Sequence, residues 1–139
     1  MRYHETNIVV RFNEIDAYRV AWHGHYVAWM EIGRNALAGM FDLDAFQLAA
    51  LGFLGPVVAL ELKFLRPARF NEELTIQTTL RRTETATLKF VTTIVGPDGS
   101  RLATGTTTHV LTDMDGVLQF QLPTVIAERV NRLLAWLEV

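Results

Sequence analysis

Glu14, Asp16, His23 and His25 fall within one short segment of a 139-residue chain that has only four histidines in all. Asp16 follows a run with strand character by a few residues, and His23-Gly24 directly precede a run with helical character. A helix start presents N–H groups without intrahelical acceptors and the positive end of the helix dipole, and both favour an oxyanion forming there. A carboxylate held opposite those N–H groups has two uses: attack on a carbonyl carbon, or activation of a water that makes the attack. The same residue types also have plainer uses. Asp16 can be a turn or N-cap carboxylate, and His23 a helix-start histidine satisfied by backbone. From spacing alone both readings stand.

Other candidate chemistry is weaker. His23 and His25 are two apart, but no third ligand stands at H-x-x-x-H or H-E-x-x-H spacing, so no metal is expected. Glu31 and Arg34 have the i,i+3 spacing of a structural ion pair. Gly96-Pro-Asp-Gly99 is a turn and not a phosphate loop, because no helix follows it, and His109 lies in a strand pattern where a pairing role is expected. The absence of cysteine excludes a thiol nucleophile, a zinc ribbon, an iron–sulfur cluster and a disulfide scaffold. With 13 Lys+Arg against 15 Asp+Glu and the arginines scattered among acids, nucleic-acid binding through a broad basic face is not expected. The N-terminus lacks an apolar signal region and the apolar runs are too short and interrupted to span a bilayer, so the expectation is a cytoplasmic protein with no transmembrane segment.

The elements that must position these residues follow from hydrophobic period. Asn7 to Asn13 alternates as a first strand, with Val10 and Phe12 on one face. His25 to Phe41 reads as a helix about 25 Å long at about 1.5 Å per residue. It is apolar almost all round, with Glu31, Arg34 and Asn35 as a narrow polar stripe, which implies burial on most sides. Gly33 and Gly39 would let a neighbouring element come close. Asp44 and Gln47 have the spacing of a capping box for a short helix, with Gly52 at its C-terminal side. Four strand patterns follow without an intervening helix: 58–64, 74–80, 86–95 and 102–112, the last two joined by a hairpin at Gly96 to Ser100. Pro123 opens a last helix whose apolar face is Ile126, Val130, Leu133, Leu134 and Leu137. Consecutive strands imply an antiparallel sheet and an α+β fold, here five strands curled about the long helix. No linker or repeat divides residues 1–139, so one domain is expected.

The stretch from Phe12 to Arg34, FNEIDAYRVAWHGHYVAWMEIGR, resembles the signature of hotdog-fold acyl-CoA thioesterases of the 4-hydroxybenzoyl-CoA thioesterase and Tol–Pal-associated group. That signature runs approximately D-T-D-x-x-G-V-V-Y-H-x-x-Y, with a later Glu and Arg in the helix. Its second Asp falls on Asp16, its His on His23, its Tyr on Tyr26, and the later pair on Glu31 and Arg34. Phe64 to Glu72 is similar to the family's aromatic-x-x-P-A-x-x-x-D segment. The departures are Glu14 for the first Asp, Ile15 for Thr, Arg19 for a Gly that permits a tight turn, and His25 for an Asn.

The resemblance implies the hotdog fold and hydrolysis of an acyl-CoA or acyl-carrier-protein thioester, without a cofactor beyond the CoA of the substrate. Asp16 would be nucleophile or general base, His23 would orient water or the carbonyl, and the helix start would polarise that carbonyl. Trp22, Gly24, His25 and Tyr26 would contact substrate, and Trp22, Trp29, Phe53 and Phe64 are candidates for an aromatic pocket. Arg66, Arg69, Arg81 and Arg82 are candidate partners for the phosphates of CoA. A hydratase or dehydratase on the same fold commonly spaces its Asp and His about five apart, whereas here the gap is seven, and a non-catalytic acyl-CoA-binding protein would not need both Asp16 and His23. An open strand edge and a Thr-rich outer sheet face with few charges imply a homodimer or homotetramer.

Overall fold

The computed structural model describes residues 1–139. The chain runs β1 (His4–Val9), a 3-10 turn (Phe12–Glu14), α1 (His25–Met40), α2 (Ala45–Ala50), β2 (Phe53–Leu54), β3 (Val57–Phe64), β4 (Glu73–Arg81), β5 (Thr87–Val95), β6 (Arg101–Val110), β7 (Thr112–Asp113) and α3 (Thr124–Glu138). Five strands form one antiparallel sheet in the order β1-β4-β5-β6-β3, and β2 pairs with β7 in a separate ribbon. The α+β architecture and the hotdog arrangement expected from the sequence are both present.

Local chemistry explains most element ends. The Asp44 side chain accepts the Gln47 N–H at 2.8 Å while the Gln47 side chain accepts the Asp44 N–H at 2.9 Å, closing the anticipated capping box. In the β5–β6 hairpin Gly99 takes φ +82° and donates its N–H to the Gly96 carbonyl, and the Asp98 carboxylate accepts from both the N–H and the hydroxyl of Ser100. Pro123 stands one residue ahead of α3, at the N-cap position, where its carbonyl accepts from Ile126 and Ala127.

Two apolar clusters fill the interior. One gathers Val10, Trp29, Met30, Leu74, Ile76 and Ile94 beneath the first half of α1; the other gathers Leu37, Leu80, Phe90, Leu111 and the five anticipated residues of α3. A Cβ on Gly33 would lie 2.6 Å from the Thr78 hydroxyl and 2.7 Å from Ile76 Cγ2, so the missing side chain lets α1 seat on β4. Gly39 has no such neighbour, its nearest being Asp44 Oδ2 at 3.4 Å.

Two expectations need correction. The first strand is His4–Val9 rather than 7–13, and Phe12 is exposed instead of sharing a face with buried Val10. The ladder ends because its partner does: Val10 N–H still reaches the Glu72 carbonyl at 2.9 Å, but the chain ahead of β4 turns through Asn71 at φ +66°, and beyond that point the Glu14 carboxylate accepts the Arg11 N–H at 2.7 Å. Nor is α1 enclosed. Tyr26, Trp29, Met30, Gly33, Leu37 and Ala38 are buried, but Val27, Ala28, Glu31, Ile32 and Asn35 are exposed. The sheet covers one side of the helix only, and β3, at the sheet edge, leaves Leu60 and Phe64 each nearly half exposed.

Candidate active site

Asp16 sits at the mouth of a small closed loop. Ile15 and Ala21 form an isolated bridge, Asp16 N–H donates to the Val20 carbonyl at 3.0 Å, and Arg19 N–H donates to the Asp16 carbonyl at 3.0 Å. One carboxylate oxygen of Asp16 accepts the Tyr18 N–H at 2.8 Å, the turn role that spacing suggested, while its Oδ2 accepts nothing from the protein. Arg19 takes φ +65°, so the arginine adopts the left-handed conformation for which the related signature carries glycine. The loop is pinned from behind by the Ala21 N–H donating to Ala68 O at 2.8 Å and by the Trp22 N–H donating to Glu14 O at 2.9 Å.

The start of α1 faces this loop, and its N–H groups divide into two sets. His25 N–H donates to Trp22 O at 3.0 Å and Tyr26 N–H to His23 O at 3.3 Å. The N–H groups of His23 and Gly24 donate to no group of the protein. The N–H of Val27, in the first turn itself, also lacks a backbone partner, so the open donors lie on both sides of the helix start. Gly24 is held there by space and not by dihedral angle: its φ is −66°, and a Cβ would lie 2.1 Å from the Trp22 ring.

Asp16, His23 and Tyr26 line one cavity of about 310 Å³ with Tyr18, Val20, Ala21, Phe64, Leu65, Arg66 and Pro67. The His23 ring makes no hydrogen bond and stands edge-on to Phe64 at 6.4 Å between centroids. Tyr26 is buried, and its hydroxyl accepts the Ala68 N–H at 3.0 Å. Burial drives the Tyr26 pKa upward, against the opposing pull of that N–H, so the phenol stays protonated. The chemistry the cavity offers is an ionisable carboxylate and an imidazole beside apolar and aromatic walls, with the unpaired N–H groups of His23 and of its neighbour Gly24 next to it.

Not every residue singled out in the sequence reaches this cavity. Trp22 packs over Gly24, between the rings of His23 and His25 at 5.1 and 5.4 Å, and none of Trp22, Gly24 and His25 lines the cavity wall. Of the aromatic candidates only Phe64 does, since Trp29 is in the core and Phe53 packs on the α3 cluster. Arg66 lines both the cavity and an adjoining groove of about 350 Å³ that also takes in Arg69, Glu72, Asp98 and Ser100. Arg81 and Arg82 lie at the far end of β4, about 27 Å along the strand from Glu73 at about 3.4 Å per residue, in a groove formed with α3. Arg82 there approaches Glu138 at 3.9 Å. Glu31 and Arg34 form the expected ion pair at 2.9 Å.

Tyr18, Val20, Ala21, Leu65 and Pro67 were not anticipated as cavity residues. Pro67 carried a signal, since it adjoins Arg66 in a recognised segment; Tyr18 and Val20 carried none, because their placement depends on the left-handed turn at Arg19.

Residues 10–130 match the profile of the thioesterase-like superfamily. The chain belongs to that superfamily. It is 25% identical over 121 residues to the Bacillus subtilis (strain 168) protein named "Putative acyl-CoA thioesterase YneP", covering 87% of this chain and 88% of the other. Among solved structures it is similar to the protein TT1821 from Thermus thermophilus, with 30% identity, TM-score 0.84, and coverage of 94% of this chain and 98% of that one. It also shares its fold with the DHNA-CoA thioesterase from Staphylococcus aureus, at 20% identity and TM-score 0.87, over 97% of this chain and 93% of that one. This thioesterase-like protein is a thioester hydrolase, and the cavity beside Asp16 is lined by three residues of its sequence signature, Asp16, His23 and Tyr26.

Proposed function

We propose that the protein hydrolyses an acyl-CoA thioester in the cavity beside Asp16. The observation that carries this reading is one cavity lined by both Asp16, whose carboxylate has one oxygen unengaged, and His23, whose N–H and that of the following Gly24 have no partner in the protein. The thioester carbonyl oxygen takes those N–H groups, which stabilise the oxyanion as the carbonyl carbon becomes tetrahedral. Asp16 then acts in one of two ways. As nucleophile it forms an acyl-aspartyl anhydride, expels the CoA thiolate, and is freed by water. As general base it takes a proton from the water that attacks the same carbon. The thiolate is a good leaving group and asks little of an acid. In this reading Arg66, which lines the cavity, and Arg69, in the adjoining groove, take phosphates of CoA, whereas Arg81 and Arg82 line a separate groove against α3.

The aromatic and apolar lining, Tyr18, Tyr26, Phe64, Leu65 and Pro67, supports an acyl group with an apolar or aromatic body, in keeping with the aryl substrate named for the staphylococcal relative. The uncovered side of α1 and the exposed apolar residues of β3 support assembly as a homodimer or homotetramer.

Asp16→Asn keeps an oxygen for the Tyr18 N–H and removes the charge. It should lower kcat by about 100-fold or more at unchanged melting temperature. A kcat within about threefold of the parent would remove Asp16 from the chemistry.

A further inference from the structure

Glu14 is a buried carboxylate for which the proposed chemistry has no use, and it joins the Asp16 loop to the long helix. It is 4% exposed. Its Oε1 accepts the Arg11 N–H at 2.7 Å, with Arg11 Nε at 3.4 Å, and its Oε2 accepts the Trp29 indole N–H at 3.0 Å. Its backbone carbonyl meanwhile accepts the Trp22 N–H, at the residue preceding the two open donors. One residue thus touches the chain entering the loop, the chain leaving it, and the side chain of a helix residue 15 positions on. Burial pushes its pKa up, but the Arg11 N–H, the Trp29 indole and the Arg11 guanidinium outweigh that and hold it below the usual carboxylate range.

We propose that Glu14 is a positioning residue for thioester hydrolysis: its carboxylate latches the loop carrying Asp16 to α1 through Trp29 and thereby sets the distance between Asp16 and the open N–H groups of His23 and Gly24. The inference rests on the reading of Asp16 given above. The geometry requires two acceptor oxygens facing two N–H donors. A glutamine has one acceptor, so its NH₂ must confront either the Arg11 N–H or the Trp29 indole N–H, and one end of the latch opens. The effect on rate should exceed the effect on binding, because displacement of a reacting group by about 1 Å costs up to about 100-fold in turnover while leaving remote substrate contacts in place.

The test is a cycle of Glu14→Gln, Trp29→Phe and the double variant, assayed on acyl-CoA substrates at a temperature where circular dichroism shows each to be folded. Trp29→Phe keeps an aromatic ring and removes only the indole donor, so it remains readable if Glu14→Gln fails to fold. Each single variant should lose about tenfold or more in kcat with KM within about threefold, and the double variant should lose no more than the worse single one, since both cut the same link. A kcat within about threefold of the parent in Trp29→Phe, or losses that multiply in the double variant, would overturn the latch. If the parent hydrolyses acyl-CoA and Asp16→Asn does not, such a result counts against Glu14 alone. If the parent hydrolyses no thioester, the reading of the site itself fails.

Discussion

The Tyr26 hydroxyl accepts the backbone N–H of Ala68 at 3.0 Å, a bond between residues 42 positions apart. Ala68 also offers its carbonyl to the Ala21 N–H at 2.8 Å, so this fully buried alanine ties the β3–β4 connection to both the Asp16 loop and the second residue of α1. Arg66 therefore reaches the cavity on a segment held to it by two hydrogen bonds, whereas Arg81 and Arg82 share no such tie.

The first prediction uses that difference. Arg66→Glu should raise KM for acyl-CoA about tenfold at nearly constant kcat, because a phosphate contact remote from the carbonyl is made equally in ground and transition states. Arg81→Glu should leave both constants as they were. Steady-state kinetics at two ionic strengths decides it, with the parent KM rising with salt and that of Arg66→Glu rising less. An unchanged KM in Arg66→Glu removes the arginine from substrate binding.

Arg19 offers a stability test. A non-glycine residue at φ +65° carries roughly 1–2 kcal/mol of steric cost, and glycine gives back about 0.5–1 kcal/mol through the freedom of its unfolded chain. Arg19→Gly should thus stabilise the protein by up to about 1 kcal/mol in urea denaturation. Its side chain is exposed and does not line the cavity, so kcat should change by no more than about twofold. A large loss of rate would mean that the guanidinium itself serves the substrate.

The exposed apolar residues of β3 bear on assembly. Val58 is 57% and Leu60 45% exposed, on a strand whose outer edge has no partner in the protomer. Sedimentation at micromolar concentration should show a multiple of the 15.7 kDa chain mass. Leu60→Lys should shift it toward the single chain, and a parent that sediments as one chain contradicts the assembly.

His109 should make stability depend on pH. The Gly55 carbonyl, 2.9 Å from Nδ1, can only accept, so the proton sits on Nδ1 and Nε2 accepts from the Thr107 hydroxyl at 3.0 Å. Burial lowers its pKa below 6.5 against the pull of that carbonyl, with Arg34 lowering it further and Glu31 opposing. Between the folded value and 6.5 the unfolded chain binds the proton and the folded chain does not, so stability falls as pH drops through that window. Melting temperatures from pH 7.5 to 5.5 should decline in the parent, and less so in His109→Gln. Equal slopes would show that the imidazole is not held neutral.

The elements that depend on local spacing were legible in the residues themselves. The capping box at Asp44 and Gln47, the hairpin at Gly96 to Ser100 and the apolar face of α3 involve neighbours no more than a few positions apart or a single period, and each formed as its pattern requires. Asp16 and His23 were named by type and spacing, Tyr26 and Arg66 through the resemblance, and the four meet at one cavity. What the pattern could not contain was anything decided by a partner far along the chain. Phe12 alternates correctly for a strand, yet the chain ahead of β4, about sixty residues on, turns away at Asn71 and leaves Phe12 no strand to pair with. The apolar circumference of α1 reads the same whether a sheet or a second copy covers it, and only the sheet order, with β3 at an edge, shows which side is left open. Arg81 stands beside no substrate cavity because nine residues of extended chain carry it to the opposite end of the sheet. Hydrophobic period reports which residues leave water; which surface receives them, and how far apart that sets the charges, is a matter of tertiary distance.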